Sequence, residues 1–202
     1  MIKNILFDMG SVLVSFDPVM FTMREELSEE DSRLIHEELF KTIDWMQLDR
    51  GVITDSELLS RVKPRFPERL WPVIEKLISR WDEPPVMVEG MYDLVKELSE
   101  KGYGLYLLSN AAIRHSEYWP RYPVSEFFGE RLFISYQCRI LKPDPRFYET
   151  AIEKFGLNKD ECIFIDDLPL NAEGAVYCGI DALVFKGEKR LRKELREKGI
   201  DI

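Results

Sequence analysis

Short, unbroken apolar runs alternate along this chain with longer amphipathic stretches. Ile5-Leu6-Phe7, Leu105-Tyr106-Leu107-Leu108, residues 132–135, Cys162-Ile163-Phe164-Ile165 and residues 182–185 are too short for independent helices and lack polar alternation. Runs of this kind read as strands buried on both faces, which is the habit of parallel sheets. Between them, 91–101 carries Met91, Leu94, Val95 and Leu98 at helical spacing and closes at Gly102. Lys142-Pro143-Asp144-Pro145 opens a helix over 146–155, with prolines where a missing N–H costs little, and Gly156 ends it. Helices over 171–178 and 189–198 follow, the last charged and mostly solvated. Strands alternating with helices predict an α/β fold, a doubly wound parallel sheet.

One region departs from the alternation. From Phe16 to the Pro84-Pro85 pair the pattern is helix and turn, with no strand. Residues 20–27 have roughly helical spacing, and 32–46 form a second helix with Leu34, Ile35, Leu39, Phe40 and Ile43 as its stripe. Gly51 breaks this, and Thr54 with Glu57 makes a capping box for a helix through Val62. A fourth helix spans 71–81. The expected organisation is a core domain of 1–15 and 85–202, with 16–84 inserted after the first strand as a small all-helical domain leaning over the strand end.

Composition narrows the function. The 202 residues include 37 Asp and Glu against 28 Lys and Arg, and the net charge of −9 argues against nucleic acid or an anionic membrane as partner. No apolar run reaches membrane-spanning length, and the N-terminus lacks a signal-peptide pattern, so a cytoplasmic protein is expected. The three cysteines have no CxxC spacing, and Cys162 and Cys178 read as core thiols of a reduced protein. His36 and His115 fall in polar surroundings without a second ligand at metal spacing, which disfavours zinc. A monomer or weak homodimer acting on a small molecule is the expectation.

The candidate chemistry sits at the strand ends. Asp8 follows the first apolar run, and Gly10 is read as letting the backbone turn where a Cβ would clash. Ser109-Asn110 follows the second run, Lys142 lies in the loop after the third, and Asp166-Asp167 follows the fourth. In a parallel sheet these ends face one way, where open α/β folds place their ligands. Taken singly, each has an ordinary explanation: Asp pairs cap turns, Ser-Asn suits loops, and a lone lysine is usually solvated. Taken together they form a consistent set. Neighbouring carboxylates need a cation between them, and few hard oxygens suit Mg²⁺. A hydroxyl and an ammonium suit the oxygens of a transferring phosphoryl group.

Phe-Asp-Met-Gly-Ser-Val-Leu-Val, Leu-Leu-Ser-Asn, Leu-Lys-Pro-Asp-Pro-Arg-Phe-Tyr and Phe-Ile-Asp-Asp-Leu-Pro-Leu-Asn resemble, in order, the four motifs of haloacid dehalogenase-like hydrolases. The helical insert is similar to that family's cap. The likeness is greatest to the sugar-phosphate phosphatase branch that includes glucose-1-phosphate phosphatase and the N-terminal domain of soluble epoxide hydrolase. The resemblance implies a Mg²⁺-dependent phosphatase of a small phosphorylated metabolite, with Asp8 as nucleophile forming an aspartyl-phosphate. It implies Mg²⁺ on Asp8, the Gly10 carbonyl, Asp167 and Asp166, the last directly or through water. Ser109 and Asn110, with Gly10 and Ser11, would bind the phosphoryl group. Lys142 would neutralise charge and orient Asp8, and Asn171 would support the fourth motif.

One position departs from the family pattern. Phosphatases of this kind carry a second Asp two residues after the nucleophile as proton donor, and here that residue is Gly10. Loss of a general acid costs about 10²–10⁴-fold. The expectation is therefore a substrate with a good leaving group, such as an anomeric sugar phosphate or an acyl phosphate. Ser11 is a poor substitute as an acid. Two other readings stand beside the phosphatase: a metal-independent 2-haloacid dehalogenase, against which the Asp166-Asp167 pair argues, and a non-catalytic phospho-ligand-binding relative. Specificity is expected from the insert. Trp45, Asp49 and Arg50 precede Gly51, with Arg50 offered to a substrate anion and Asp49 to sugar hydroxyls, or all three serving only the insert's own packing and turn.

Overall fold

The computed structural model describes residues 1–17, 21 and 23–202. Five parallel strands form one sheet: β1 (Asn4–Phe7), β2 (Gly104–Ser109), β3 (Leu132–Ile134), β4 (Cys162–Asp166) and β5 (Asp181–Val184), in the order β3-β2-β1-β4-β5. β1 is central, with Phe7 in register with Leu107 on one side and Ile165 on the other. Its side chains alternate between two apolar layers. Ile5 and Phe7 join Leu107 and Ile165 in one, while Leu6 joins Leu108 and Phe164 in the other. Burial on both faces is why these strands are uninterrupted apolar runs. The strands match the sequence expectation to within a residue or so at their ends.

Among the described residues, the stretch between β1 and the helix that precedes β2 is helical. α1 (Glu29–Ile35) runs into a π-helical turn at His36–Phe40, and α2 (Ile43–Asp49), α3 (Asp55–Val62) and α4 (Trp71–Arg80) follow. The helix expected over 20–27 includes residues outside those described. The single helix expected over 32–46 is in fact two. Thr42 accepts the Trp45 N–H at 3.2 Å, so it starts α2 as an N-cap rather than continuing the preceding turn. Ile43, expected in the apolar stripe, is consequently 73% exposed. The capping box of Thr54 and Glu57 is present as read.

The chain leaves for this helical stretch and returns from it at one place. Val14 bridges Met87, the Ser15 N–H donates to the Val86 carbonyl at 2.8 Å, and the Val88 N–H donates to the Leu13 carbonyl at 3.0 Å. A continuous apolar cluster nonetheless joins Phe7 of the sheet to Trp45, Leu58 and Ile74 of the helices. α5 (Met91–Glu100) covers one face of the sheet through Met91, Leu94, Val95 and Leu98. A four-residue helix, α6 (His115–Tyr118), follows β2, and α7 (Ser135–Cys138) follows β3 directly. α8 (Pro145–Phe155) covers the other face with Phe147, Tyr148 and Ala151, and α9 (Pro169–Tyr177) and α10 (Glu188–Glu197) complete the layers. α10 is less solvated than its charges suggest, since Leu191 and Leu195 are buried.

Two expectations about sulfur and imidazole need correction. Cys162 is buried as a core thiol, but Cys178 at the end of α9 is only partly covered. His115 lies in an apolar setting, 3% exposed and stacked on Trp119, and burial lowers its pKa to about 4. No helix among the described residues is long and apolar enough to cross a membrane.

Candidate active site

Parallel pairing carries the polar strand ends to one edge of the sheet. Asp8 leaves β1 with its N–H still bonded to the Ile165 carbonyl at 2.8 Å, which fixes its backbone beside the end of β4. Ser109 ends β2 and Asp166 ends β4. Lys142 enters from the loop that leads to α8, and it is 4% exposed.

Lys142 organises the cluster. Its Nζ lies 2.8 Å from Asp8 Oδ1, 2.7 Å from Asp166 Oδ2 and 3.0 Å from the Leu108 carbonyl. An ammonium has three protons to donate, so every one is used. Its stem packs over the Phe164 ring at 5.2 Å. Burial works against its charge, but Asp8 and Asp166 outweigh that and hold its pKa above the ordinary lysine value. Burial pushes Asp8 the other way. Despite Lys142, desolvation together with Asp166 and Asp167 raises the Asp8 pKa to about 7.

Asp8, Asp166 and Asp167 present carboxylate oxygens within 4.8 Å of one another. Asp166 is already well satisfied. Its Oδ1 accepts from the Leu168 N–H at 2.9 Å and from Asn171 Nδ2 at 3.0 Å, while Oδ2 takes Lys142. Asp167 has no such set, and burial with the charge of Asp166 raises its pKa to about 6. Two under-compensated carboxylates beside a third are the donor set that a hard divalent cation fits.

A sequence profile described as haloacid dehalogenase-like hydrolase matches residues 2–179. The chain belongs to that family. The D-ribitol-5-phosphate phosphatase of Bacteroides thetaiotaomicron is 26% identical over 209 residues, covering 96% of this chain and 97% of that protein. Flavin mononucleotide hydrolase 1 of Arabidopsis thaliana, a chloroplast protein, is 26% identical over 158 residues; the match covers 78% of this chain and 63% of the relative's length. A family enzyme of Bacteroides thetaiotaomicron, solved with magnesium and inorganic phosphate, superposes with a TM-score of 0.72 at 25% identity, covering 93% of this chain and 96% of that one. The chain is a hydrolase of the phosphatase kind, with the parallel α/β core of the haloacid dehalogenase-like fold.

Several residues of this hydrolase stand differently from the sequence expectation. Gly10 is not at positive φ, and a Cβ there would meet Phe16 Cβ at an ordinary 3.5 Å. The left-handed residue of the turn is Ser11, at φ 57°, whose Oγ donates to the Phe16 carbonyl at 3.2 Å. Asn110 spends its amide on the Lys142 loop: Nδ2 donates to the Lys142 carbonyl at 3.1 Å, and Oδ1 accepts the Lys142 N–H at 2.8 Å. Its side chain therefore positions the lysine. Arg50 is exposed, donates to the Arg139 carbonyl at 2.8 Å and is not among the residues that line the cavity shared by Asp8 and Lys142.

Asp8, Gly10, Ser11, Ser109, Asn110, Lys142, Asp167 and Asn171 share one cavity of about 380 Å³ with residues of the helical stretch, Trp45 and Asp49 among them. Sequence reading missed Ser135, fully buried at the end of β3. Its Oγ accepts the Ala111 N–H at 2.9 Å and donates to the Asp49 carbonyl at 2.5 Å, tying α2 to the loop after β2. The signal was a fifth polar residue at the same sheet edge. Arg114 was also missed. It lines the cavity, donates to the Ile78 carbonyl at 2.8 Å and meets the buried Asp82 at 3.3 Å.

Proposed function

We propose that the chain is a Mg²⁺-dependent phosphatase that hydrolyses a small phosphorylated metabolite through an aspartyl-phosphate on Asp8. The observation that carries this reading is the buried Asp8–Lys142 contact beside two further carboxylates at the mouth of a metabolite-sized cavity. Asp8 Oδ attacks phosphorus while Lys142 holds the carboxylate in place and offsets charge on the phosphoryl oxygens. Ser109, with the loop atoms of Gly10, Ser11 and Asn110, surrounds the phosphoryl group. Asp8, the Gly10 carbonyl and Asp167 would hold Mg²⁺, with Asp166 acting through water because its oxygens are already bonded. Bound there, the ion supplies positive charge to the transferring phosphoryl oxygens.

Residues 16–84 act as the cap in this reading, supported by their single point of exit and return at Val14–Met87. The leaving group would occupy the chamber between Trp45 and Trp81, with Asp49, Asp55 and Arg114 as its polar contacts. A sugar phosphate is a candidate, its hydroxyls meeting those three side chains. The aromatic walls equally favour a ring-bearing alcohol, as in a flavin phosphate.

The test is phosphate release from a panel of sugar phosphates and flavin mononucleotide, with and without Mg²⁺, using Asp8→Asn as blank. Release that requires both Mg²⁺ and Asp8 is expected. Release that persists in Asp8→Asn would refute the aspartyl-phosphate, and chloride release from 2-haloacids without metal would turn the assignment to a dehalogenase.

A further inference from the structure

Breaking a phosphate ester leaves an electron pair on the departing oxygen, which needs a proton unless the alcohol is unusually acidic. At the turn after Asp8 the chain offers only Gly10. The donor must come from elsewhere around the cavity. Lys142 has all three protons committed, and Asp167 belongs to the acidic cluster. Tyr118 is pushed far above its usual range by burial, which makes it a poor acid. Asp55 sits against Arg114.

Asp49 remains, and its placement is over-determined. It is the last residue of α2 and lines the same cavity as Asp8. Ser135 Oγ donates to its carbonyl at 2.5 Å, while the Ala112 backbone N–H beside its carboxyl works modestly against protonation. Arg50 Nε anchors the next residue to the Arg139 carbonyl at 2.8 Å. Gly51 then lies so close to Tyr136 that a Cβ would come within 2.7 Å of its carbonyl oxygen. These contacts fix the Asp49 backbone at the cavity wall, and among the described residues its carboxyl forms no salt bridge. The other titratable groups lining the cavity are Asp8, Lys142 and Asp167 on the sheet side and Tyr118, Asp55 and Arg114 around the chamber, of which Asp8 and Tyr118 interact electrostatically with Asp49. Burial first, and the charge of Asp8 second, raise the Asp49 pKa well above the ordinary carboxylate range.

We propose that Asp49, supplied by the helical stretch, is the general acid–base of this hydrolase in place of the residue missing at Gly10. The assignment rests on the phosphatase reading above. In the first step an Asp8 oxygen bonds to phosphorus, the bond to the leaving oxygen breaks, and the Asp49 proton moves to that oxygen to give the free alcohol. In the second step the Asp49 carboxylate takes a proton from the water that attacks phosphorus. The Asp8–phosphorus bond breaks, and inorganic phosphate leaves with both carboxyls restored.

The experiment compares wild type and Asp49→Asn with Mg²⁺ on two probes of similar shape, 4-nitrophenyl phosphate and phenyl phosphate. kcat/KM reports the first step, in which only the poorer phenyl leaving group needs a proton. Asp49→Asn is expected to lower kcat/KM about 10²–10⁴-fold for phenyl phosphate and less than about 10-fold for the nitrophenyl ester. With the second step slowed, the variant should also release a rapid burst of about one nitrophenolate per enzyme. Gly10→Asp added to Asp49→Asn should restore phenyl phosphate turnover, since a Cβ at position 10 meets only Phe16, at ordinary contact distance. Equal losses on both probes without a burst, in a variant with unchanged thermal midpoint, would overturn the assignment. Wild type that turns over no phosphate ester would instead sink the phosphatase reading, and this one with it.

Discussion

The Lys142 ammonium lies 2.8 Å from Asp8 Oδ1 in a setting where the lysine side chain is 1% exposed and the aspartate side chain 11%. The contact is structural and chemical at once. Without Lys142, Asp8 and Asp166 would be two carboxylates facing one another in a dry site, and the Leu108 carbonyl would lose its donor.

Lys142→Ala is therefore expected to damage both properties. Removing one partner of a buried ion pair costs about 3–5 kcal/mol. Urea titration should show a loss of that order, and phosphate release should fall by at least about 10²-fold from lost charge stabilisation. A variant as stable and as active as wild type would show that the ammonium is not the counter-charge described here.

If the acidic cluster holds Mg²⁺ as proposed, the ion must compete there with protons. The folded pKa of Asp8, about 7, lies above its ordinary value of 3.8, so between these values the folded state binds more protons than the unfolded chain. The metal-free protein then loses stability as pH rises through that window. A cation that takes the place of the proton restores it by mass action. The rise in thermal midpoint on adding Mg²⁺ should be small near about pH 5 and larger near about pH 8. A rise that is equal at both would mean that the ion does not meet these carboxylates.

Two glycines in the site's loops invite opposite outcomes. At Gly10 a methyl group finds Phe16 Cβ at 3.5 Å and a permitted φ, so Gly10→Ala should change stability by less than about 1 kcal/mol. At Gly51 the φ is +69° and the added Cβ meets the Tyr136 backbone at 2.7 and 2.9 Å. Gly51→Ala should cost more than about 1–3 kcal/mol and loosen the Asp49 loop. Chemical denaturation of the pair, side by side, decides whether the two positions differ in this sense.

These glycines also mark what the sequence could reveal. Asp8, Ser109 and Asp166 were legible because each ends an apolar run, and parallel pairing leaves their direction no freedom. Gly10 was misread because a glycine in a turn looks the same whether φ needs it or not, and the turn gave its left-handed position to Ser11. The role of Asn110 depends on a loop 32 residues away, which no local pattern contains. The break at Thr42 turned on a side-chain hydrogen bond competing with an apolar stripe that ran straight through it. Local rules placed the elements, and long-range polar contacts assigned the jobs.

Ser135 allows the last of these to be tested. Its hydroxyl is fully buried and serves two backbones, accepting from the Ala111 N–H at 2.9 Å and donating to the Asp49 carbonyl at 2.5 Å. Ser135→Ala would leave a buried donor and a buried acceptor without their partner, at a cost of roughly 1–3 kcal/mol. Ser11→Ala is the control. That hydroxyl is only partly buried and makes a single 3.2 Å bond to the Phe16 carbonyl, so its loss should cost about 1 kcal/mol or less. The two variants should also differ in where the protein loosens. In Ser135→Ala, amide exchange should quicken at Ala111 and across 43–49, where the helical stretch meets the sheet edge, while the strand amides of β1 and β4 keep their protection. Exchange that quickens evenly over the whole chain, or a Ser11→Ala cost equal to that of Ser135→Ala, would mean that Ser135 is ordinary packing and not the tie between Asp49 and the core.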